Sequence, residues 1–451
     1  MKKIIVWFRK DLRLHDQPAL WEATQQGMVI PVFIRSKEEI ESQTSDASLW
    51  WLHHSLLSFQ KNRFPLIIRV GNTENVLQEL INETDADAVF FNEDPNPSIQ
   101  ADDHEIMIPL KAQNIEIRQF NGHNLFSPND VLNQKQEPYK VFTSFWKRSM
   151  QAQAHLPVPA PHSLTLYTSP IKSLEVDELN LLSFVPWHDK LLSHWDPGEM
   201  GALNKWEQFL HRGISDYEKK RDFPFEEGTS MLSPYLASGD ISIRSIYHTL
   251  KDLDNPASSF TRQLIWKEFA QHQLIHFPSF PSKPLRANFE KFPWINDDEG
   301  FTRWTKGQTG YPLVDAGMRE LWETGCMHNR VRMVAASFLV KHLLIDWRKG
   351  SDWFKQTLVD FDLANNAMGW QWITGSGIDS SPFFRIFNPI IQSEKFDPDG
   401  DYIKKWIPEL SDVKAAFIHQ PWKAPNAMYP APIVDHASAR LRALEAYKII
   451  K

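Results

Sequence analysis

Three stretches in the C-terminal half place polar and aromatic side chains at spacings suited to a flat ligand with several hydrogen-bonding edges. The first is Asp360-Phe361-Asp362-Leu363-Ala364-Asn365-Asn366-Ala367-Met368-Gly369-Trp370. On a helix, Asp362, Asn366 and Trp370 stand at i, i+4 and i+8, so one face carries acid, amide and indole. A core face should be apolar, and buried polar groups need partners. A heterocycle would supply them. An N-cap role accounts for Asp362 but leaves Asn366 unexplained. The second stretch is a helix expected over 327–346, where Asn329 and Met333 share a face flanked by Arg330 and Arg332. Amide, thioether and cations suit a polar aromatic ligand, although a capping Asn and a core Met would read the same way. The third is Gly228-Thr229-Ser230-Met231-Leu232-Ser233. Hydroxyls and backbone N–H groups at a helix start can cradle a phosphate or simply cap. Tyr217 and Arg221 lie just upstream.

The chain holds 18 tryptophans in 451 residues, more than half of them in the C-terminal half. Tryptophan is flat and easily oxidised, so such a set can build stacking surfaces, an electron path, or only a large core. The single cysteine, Cys326, excludes an internal disulfide and a Cys-based zinc site. It reads as a small buried apolar residue. His272 and His276 have metal-ligand spacing, but Phe277-Pro278 follows and no acidic partner is evident, so no metal site is expected.

Composition is that of an ordinary globular protein, 42% hydrophobic and 23% charged. Net charge is −7, which excludes a global basic signature for nucleic acid. DNA remains open, because phosphate binding needs only a local basic face. Candidate clusters are Lys219-Lys220-Arg221, Arg330 with Arg332, Arg348-Lys349 and Lys404-Lys405. No apolar run approaches the ~18 residues of a membrane span. Arg9, Lys10, Asp11 and Arg13 interrupt the N-terminal apolar run too soon for a signal peptide, so a cytoplasmic protein is expected.

These residues need a scaffold. Short β-branched runs at 3–8, 28–34, 66–70, 87–91 and 115–119 alternate with helix-like stretches at 16–26, 46–62, 73–84 and 98–112. The alternation predicts an α/β N-terminal domain, a parallel sheet with helices on both faces, over residues 1–125. No Gly-x-Gly-x-x-Gly follows the first strand, so a dinucleotide fingerprint is missing. Residues 126–195 are punctuated by proline and read as a connector, with a helix-like piece at 139–146. Residues 196–451 read as an all-α domain, including 313–324, 327–346 and a terminal helix over 437–451.

Taken together, these segments resemble the photolyase/cryptochrome flavoprotein family nearly end to end. The resemblance runs from Trp7-Phe8-Arg9-Lys10-Asp11-Leu12-Arg13 through Leu264-Ile265-Trp266-Lys267-Glu268 and Gly307-Gln308-Thr309-Gly310-Tyr311-Pro312. It is strongest at Met327-His328-Asn329-Arg330-Val331-Arg332-Met333. It continues through Trp370-Gln371-Trp372 and Phe384-Arg385-Ile386-Phe387-Asn388-Pro389 to Tyr429-Pro430-Ala431-Pro432.

The resemblance implies FAD in the helical domain. It also implies light-driven electron transfer from reduced FAD to a cyclobutane pyrimidine dimer flipped out of UV-damaged DNA. By motif, Tyr217, Thr229, Ser230, Met231, Leu232, Ser233, Asp360, Phe361 and Asp362 are similar to FAD contacts. Arg332 resembles the arginine that pairs with an acid of the 360–362 segment. Asn366 matches the residue facing flavin N5. Trp370, Trp347 and Trp294 resemble a relay ordered from flavin to surface. Trp266 and Trp372 match indoles that stack on the dimer, and Asn329 and Met333 match dimer-contacting positions. Arg221 and Arg330 resemble DNA contacts.

Three departures stand out. Gln263 occupies the place of a usual Glu, losing the charge but keeping the size. Lys267 replaces a usual Arg. The Asn-Glu pair used by folate-binding members is not evident at Ser98-Ile99, which leaves a second, antenna chromophore open. A monomeric repair enzyme is the leading expectation. A cryptochrome-type blue-light receptor without repair is the alternative, and a (6-4) photolyase is a third.

Overall fold

The structure is a computed structural model. It describes every residue except 37–45, 62–64, 183–185, 254–258 and 426–427, together with the side chain of Pro186. The chain divides into two compact units that do not follow chain order. Residues 1–208 and 231–278 form the first; residues 209–230 and 279–451 form the second.

The first unit is built on a five-stranded parallel sheet ordered β3-β2-β1-β4-β5. The strands are β1 (Lys2–Phe8), β2 (Gly27–Ser36), β3 (Ile67–Gly71), β4 (Ala88–Asn92) and β5 (Glu116–Phe120). Each lies within two residues of its predicted run. Central strands read as continuous apolar runs because both faces are covered. Ile4, Val6 and Phe8 of β1 enter one core and Ile5 and Trp7 the other. In register, Ile5 pairs with Ile30 on one side and Val89 on the other. Strand order reverses between β1 and β4, so the loops leaving those strands face a topological switch point. The expected helix at 139–146 is Phe142–Ser149, and it packs on the long helix Ser259–His276. A buried ion pair holds the start of the chain to the 242–244 segment: Arg244 Nε and Nη2 each lie 2.8 Å from an oxygen of Asp16.

The second unit is helical. Its core gathers Trp304, Trp347, Trp370, Leu339 and Phe354. The single helix expected over 327–346 is broken. The α-helix Asn329–Ser337 passes into a π-turn at Phe338–His342, and Leu344 then takes φ +55°. Asp346 starts a new helix, Trp347–Thr357, by accepting from Arg348 N at 2.9 Å. Tertiary contacts account for the break, because the wider turn accommodates two polar side chains inside the unit. Lys341 Nζ donates to Arg385 O at 2.9 Å, and His342 sits 2.8 Å from His436 Nδ1. Burial lowers the Lys341 ammonium to about 7. Cys326 is buried, as expected. No helix among the described residues is long and apolar enough to cross a membrane.

Candidate functional site

In the second unit, the polar stretch around Asn366 forms the helix Leu363–Thr374. Asp362 is its N-cap and accepts from Asn365 N at 2.9 Å. The capping role foreseen for Asp362 is therefore real, while Asn366 lies one turn inside the helix. Asn366 Nδ2 donates to Ser351 Oγ at 2.9 Å and Ser351 O at 3.3 Å. Trp370, one turn further on, is buried, and its indole Nε1 has no partner. The helix ends at Gly375, whose φ of +88° suits glycine.

This helix packs on Asn329–Ser337, which begins at His328. His328 Nδ1 accepts from Arg330 N at 3.2 Å, so His328 and not Asn329 is the cap. Burial pushes His328 down to about 4, which keeps the ring neutral and able to accept. Arg332 Nη2 meets Asp360 Oδ2 at 2.8 Å, and its Nε donates to Met327 O at 2.6 Å. Burial opposes the Arg332 charge, but Asp360 outweighs it and holds the guanidinium above its ordinary value. Asp360 Oδ1 stays buried without a partner. Buried orphans are rare in folded proteins, so the Asp360 acceptor and the Trp370 donor, neither of which has a partner among the described residues, point to a surface shaped for another molecule. A flavin, with donors and acceptors along one ring edge, fits this donor set.

The same helix brings Asn329 Nδ2 and Arg330 Nη1 to 4.0 and 3.9 Å from Met333 Sδ. Arg330 also forms an ion pair with Asp222 at 2.7 Å and lies over the Phe396 ring. Arg221 lies over the ring of buried Tyr217 at 5.1 Å. Thr229 and Ser230 are half-buried in the same unit, as are Phe361 and Trp372.

The relay candidates differ in burial. Trp347 and Trp370 are 1% and 2% exposed, whereas Trp294 is only half-buried, with its ring tilted 44° against Phe292 at 4.3 Å. Gly350 lets the helices carrying Trp347 and Trp370 approach, since a Cβ there would sit 2.2 Å from the Trp370 ring. A glycine inside a helical pattern was the available signal for that packing.

The remaining candidates belong to the first unit. Met231 takes φ +53°, Leu232 is buried and Ser233 is exposed at the start of the short helix Ser233–Ser238. Gln263 Nε2 donates to Ser259 O at 3.1 Å, which leaves Oε1 to accept, as a carboxylate would. Trp266 is half-buried and stacks face to face on buried Phe142, with ring centroids 3.5 Å apart and planes 6° from parallel. Sequence reasoning passed over Phe142, although it lies in the aromatic stretch Tyr139–Trp146. His272 Nε2 accepts from Tyr139 N at 3.0 Å. Glu268 is buried and accepts from Leu125 N at 3.0 Å, and burial pushes it up to about 7.

Comparison with known proteins gives this geometry a lineage. Residues 4–162 match the family model described as DNA photolyase, and residues 260–449 match the FAD binding domain of DNA photolyase. A deoxyribodipyrimidine photo-lyase from Agrobacterium fabrum is 45% identical over 99% of this chain and 98% of its own length. Cryptochrome-2 from Arabidopsis thaliana is 35% identical over 97% of this chain and 78% of its own. A crystal structure of a bacterial class III photolyase from Agrobacterium tumefaciens superposes with a TM-score of 0.95 at 44% identity, covering 100% of this chain and 98% of that one. With both halves matched in order and full-length relatives on either side, this chain belongs to the photolyase/cryptochrome family.

Proposed function

We propose that this protein is a deoxyribodipyrimidine photo-lyase that uses FAD and blue light to open cyclobutane pyrimidine dimers in UV-damaged DNA. The observation that carries the reading is the Arg332–Asp360 pair, with Asp360 Oδ1 left over just ahead of the helix that presents Asn366 and Trp370. Tyr217, Thr229 to Ser233 and the 360–362 segment hold the cofactor. Arg332 fixes the Asp360 carboxylate, so its free oxygen stays aimed. Bound FAD supplies the light-absorbing electron donor, and ring opening is redox-neutral once the electron has returned.

The chain's own residues do the remaining work. Trp266 and Trp372 offer indole faces to the extruded bases, worth about 1–3 kcal/mol per base. Asn329, Met333 and Gln263 contact the dimer, while Arg221 and Arg330 meet backbone phosphate. Trp370, Trp347 and Trp294 carry electrons inward during photoreduction. Asn366 and the two indoles Trp266 and Trp372 support repair over a purely receptor role, and Gln263 in place of the usual Glu is the one feature that lends the receptor weight. Asn329 and Met333, in place of histidines, speak against (6-4) lesions.

The test is direct. Reduced, FAD-loaded protein is mixed with thymine-dimer DNA, illuminated with blue light, and followed by recovery of thymine absorbance. Light-dependent recovery is expected. Bound, reduced FAD with no recovery would favour the receptor reading.

A further inference from the structure

Ser351 has no part in the reading above, yet it decides what Asn366 can offer a ligand. The two hydrogens of Asn366 Nδ2 have two acceptors, Ser351 Oγ at 2.9 Å and Ser351 O at 3.3 Å. A backbone carbonyl only accepts. The amide nitrogen must therefore face residue 351, and the oxygen must face away. The carbonyl sets the direction, but at 3.3 Å its bond is the weaker one, and the hydroxyl bond at 2.9 Å holds the amide within its reach. The donors of Asn366 are then spent, and Oδ1 takes no hydrogen bond from the described residues. The contact depends on the close approach of the helices Trp347–Thr357 and Leu363–Thr374. Gly350 permits that approach: a Cβ there would lie 2.2 Å from the Trp370 ring and 2.6 Å from Leu339 Cδ2.

We infer that Ser351 is a positioning residue that locks the Asn366 amide with its oxygen outward, so that the position accepts a hydrogen bond and offers none. The inference rests on the proposed placement of Asn366 beside flavin N5. That nitrogen is a bare acceptor in oxidised isoalloxazine and carries a hydrogen in the reduced ring. An amide held oxygen-outward therefore favours the reduced cofactor. A freely turning amide would serve both states.

The experiment equilibrates FAD-loaded protein with a redox dye at a fixed dye ratio and reads the ratio of oxidised to reduced flavin from absorbance. Ser351→Ala moves the ratio about five-fold towards oxidised, the size of one net hydrogen bond. Ser351→Thr, which keeps the hydroxyl, stays at the wild-type ratio. In an Asn366→Ala background, Ser351→Ala adds nothing, because its effect passes through that amide. The inference is overturned if Asn366→Ala shifts the ratio but Ser351→Ala does not. It is equally overturned if the Ser351→Ala shift persists without Asn366. An unchanged ratio in Asn366→Ala alone would remove the placement of Asn366 at the flavin, and the inference with it.

Discussion

Two polar regions, one in each unit, differ in what they leave unspent. At the carboxyl ends of β1 and β4, Asp11 accepts from Arg9 N, Gln17 Nε2 and Asn92 Nδ2 at 2.9, 2.7 and 2.6 Å. Arg9 grips both oxygens of Asp103 and also donates to Asn92 O at 2.6 Å. The side chains of Asp11, Gln17 and Asn92 satisfy one another. In the helical unit, Asp360 Oδ1 and Trp370 Nε1 stay buried without partners. The switch point of a doubly wound sheet is the usual ligand crevice. Here Asp11, Gln17, Asn92 and Asp103 at that place are spent on structure, whereas Asp360, just ahead of the helix Leu363–Thr374, and Trp370 on that helix each keep one unspent atom. A satisfied polar network rigidifies, whereas an unsatisfied one points to a missing partner.

The largest expected effect lies in the sheet unit. Arg244→Leu leaves Asp16 buried and uncompensated, which should cost about 3–5 kcal/mol in denaturant unfolding. Flavin per folded chain should not change. Loss of flavin from folded Arg244→Leu protein would break the contrast between the regions. A smaller effect is expected behind the stacking indole. Phe142→Leu removes the flat neighbour of Trp266, and an aromatic pair is worth about 0.5–1.5 kcal/mol beyond its area. Dimer-containing DNA should bind a few-fold more weakly in a titration, with flavin photoreduction at the wild-type rate.

Acid titration separates one buried residue of each unit, His328 and Glu268, by sign. His328 is pushed down to about 4 by burial. As pH falls from the unfolded value of about 6.5, the unfolded chain takes up a proton that the native ring refuses, so stability drops until about pH 4. Glu268 is pushed up to about 7 by burial. Its native carboxyl takes a proton first, so its contribution grows as pH falls through 7 and levels off near the ordinary carboxylate range. Unfolding midpoints measured from pH 7 to 4 should therefore fall less steeply in His328→Asn and more steeply in Glu268→Gln. Parallel slopes for both variants and wild type would contradict these environments.

The sequence made some of this legible and hid the rest for physical reasons. The strands were readable because fully covered parallel strands are continuous apolar runs, and Thr73–Thr84 was placed to the residue by its periodicity. Residues 327–346 were misread as one helix, since a π-turn and a left-handed Leu344 answer to Lys341 and His342 packing and leave no local pattern. Asn366 was visible as an amide without a local excuse. Ser351 was not, because the bond between them crosses two helices. Either acid of the 360–362 segment could have met Arg332; Asp362 was taken by the helix cap, which left Asp360. The stack of Phe142 on Trp266 joins positions too far apart in the chain for spacing to reveal.

One pair of isosteric substitutions tests the central contrast most directly. Flavin content per folded chain is measured after purification for Asp360→Asn and Asp103→Asn. The account predicts that Asp360→Asn, which removes the charge aimed by Arg332, sheds FAD, while Asp103→Asn, which loosens the strand-end network, keeps it. FAD retained by Asp360→Asn and lost from Asp103→Asn would contradict it.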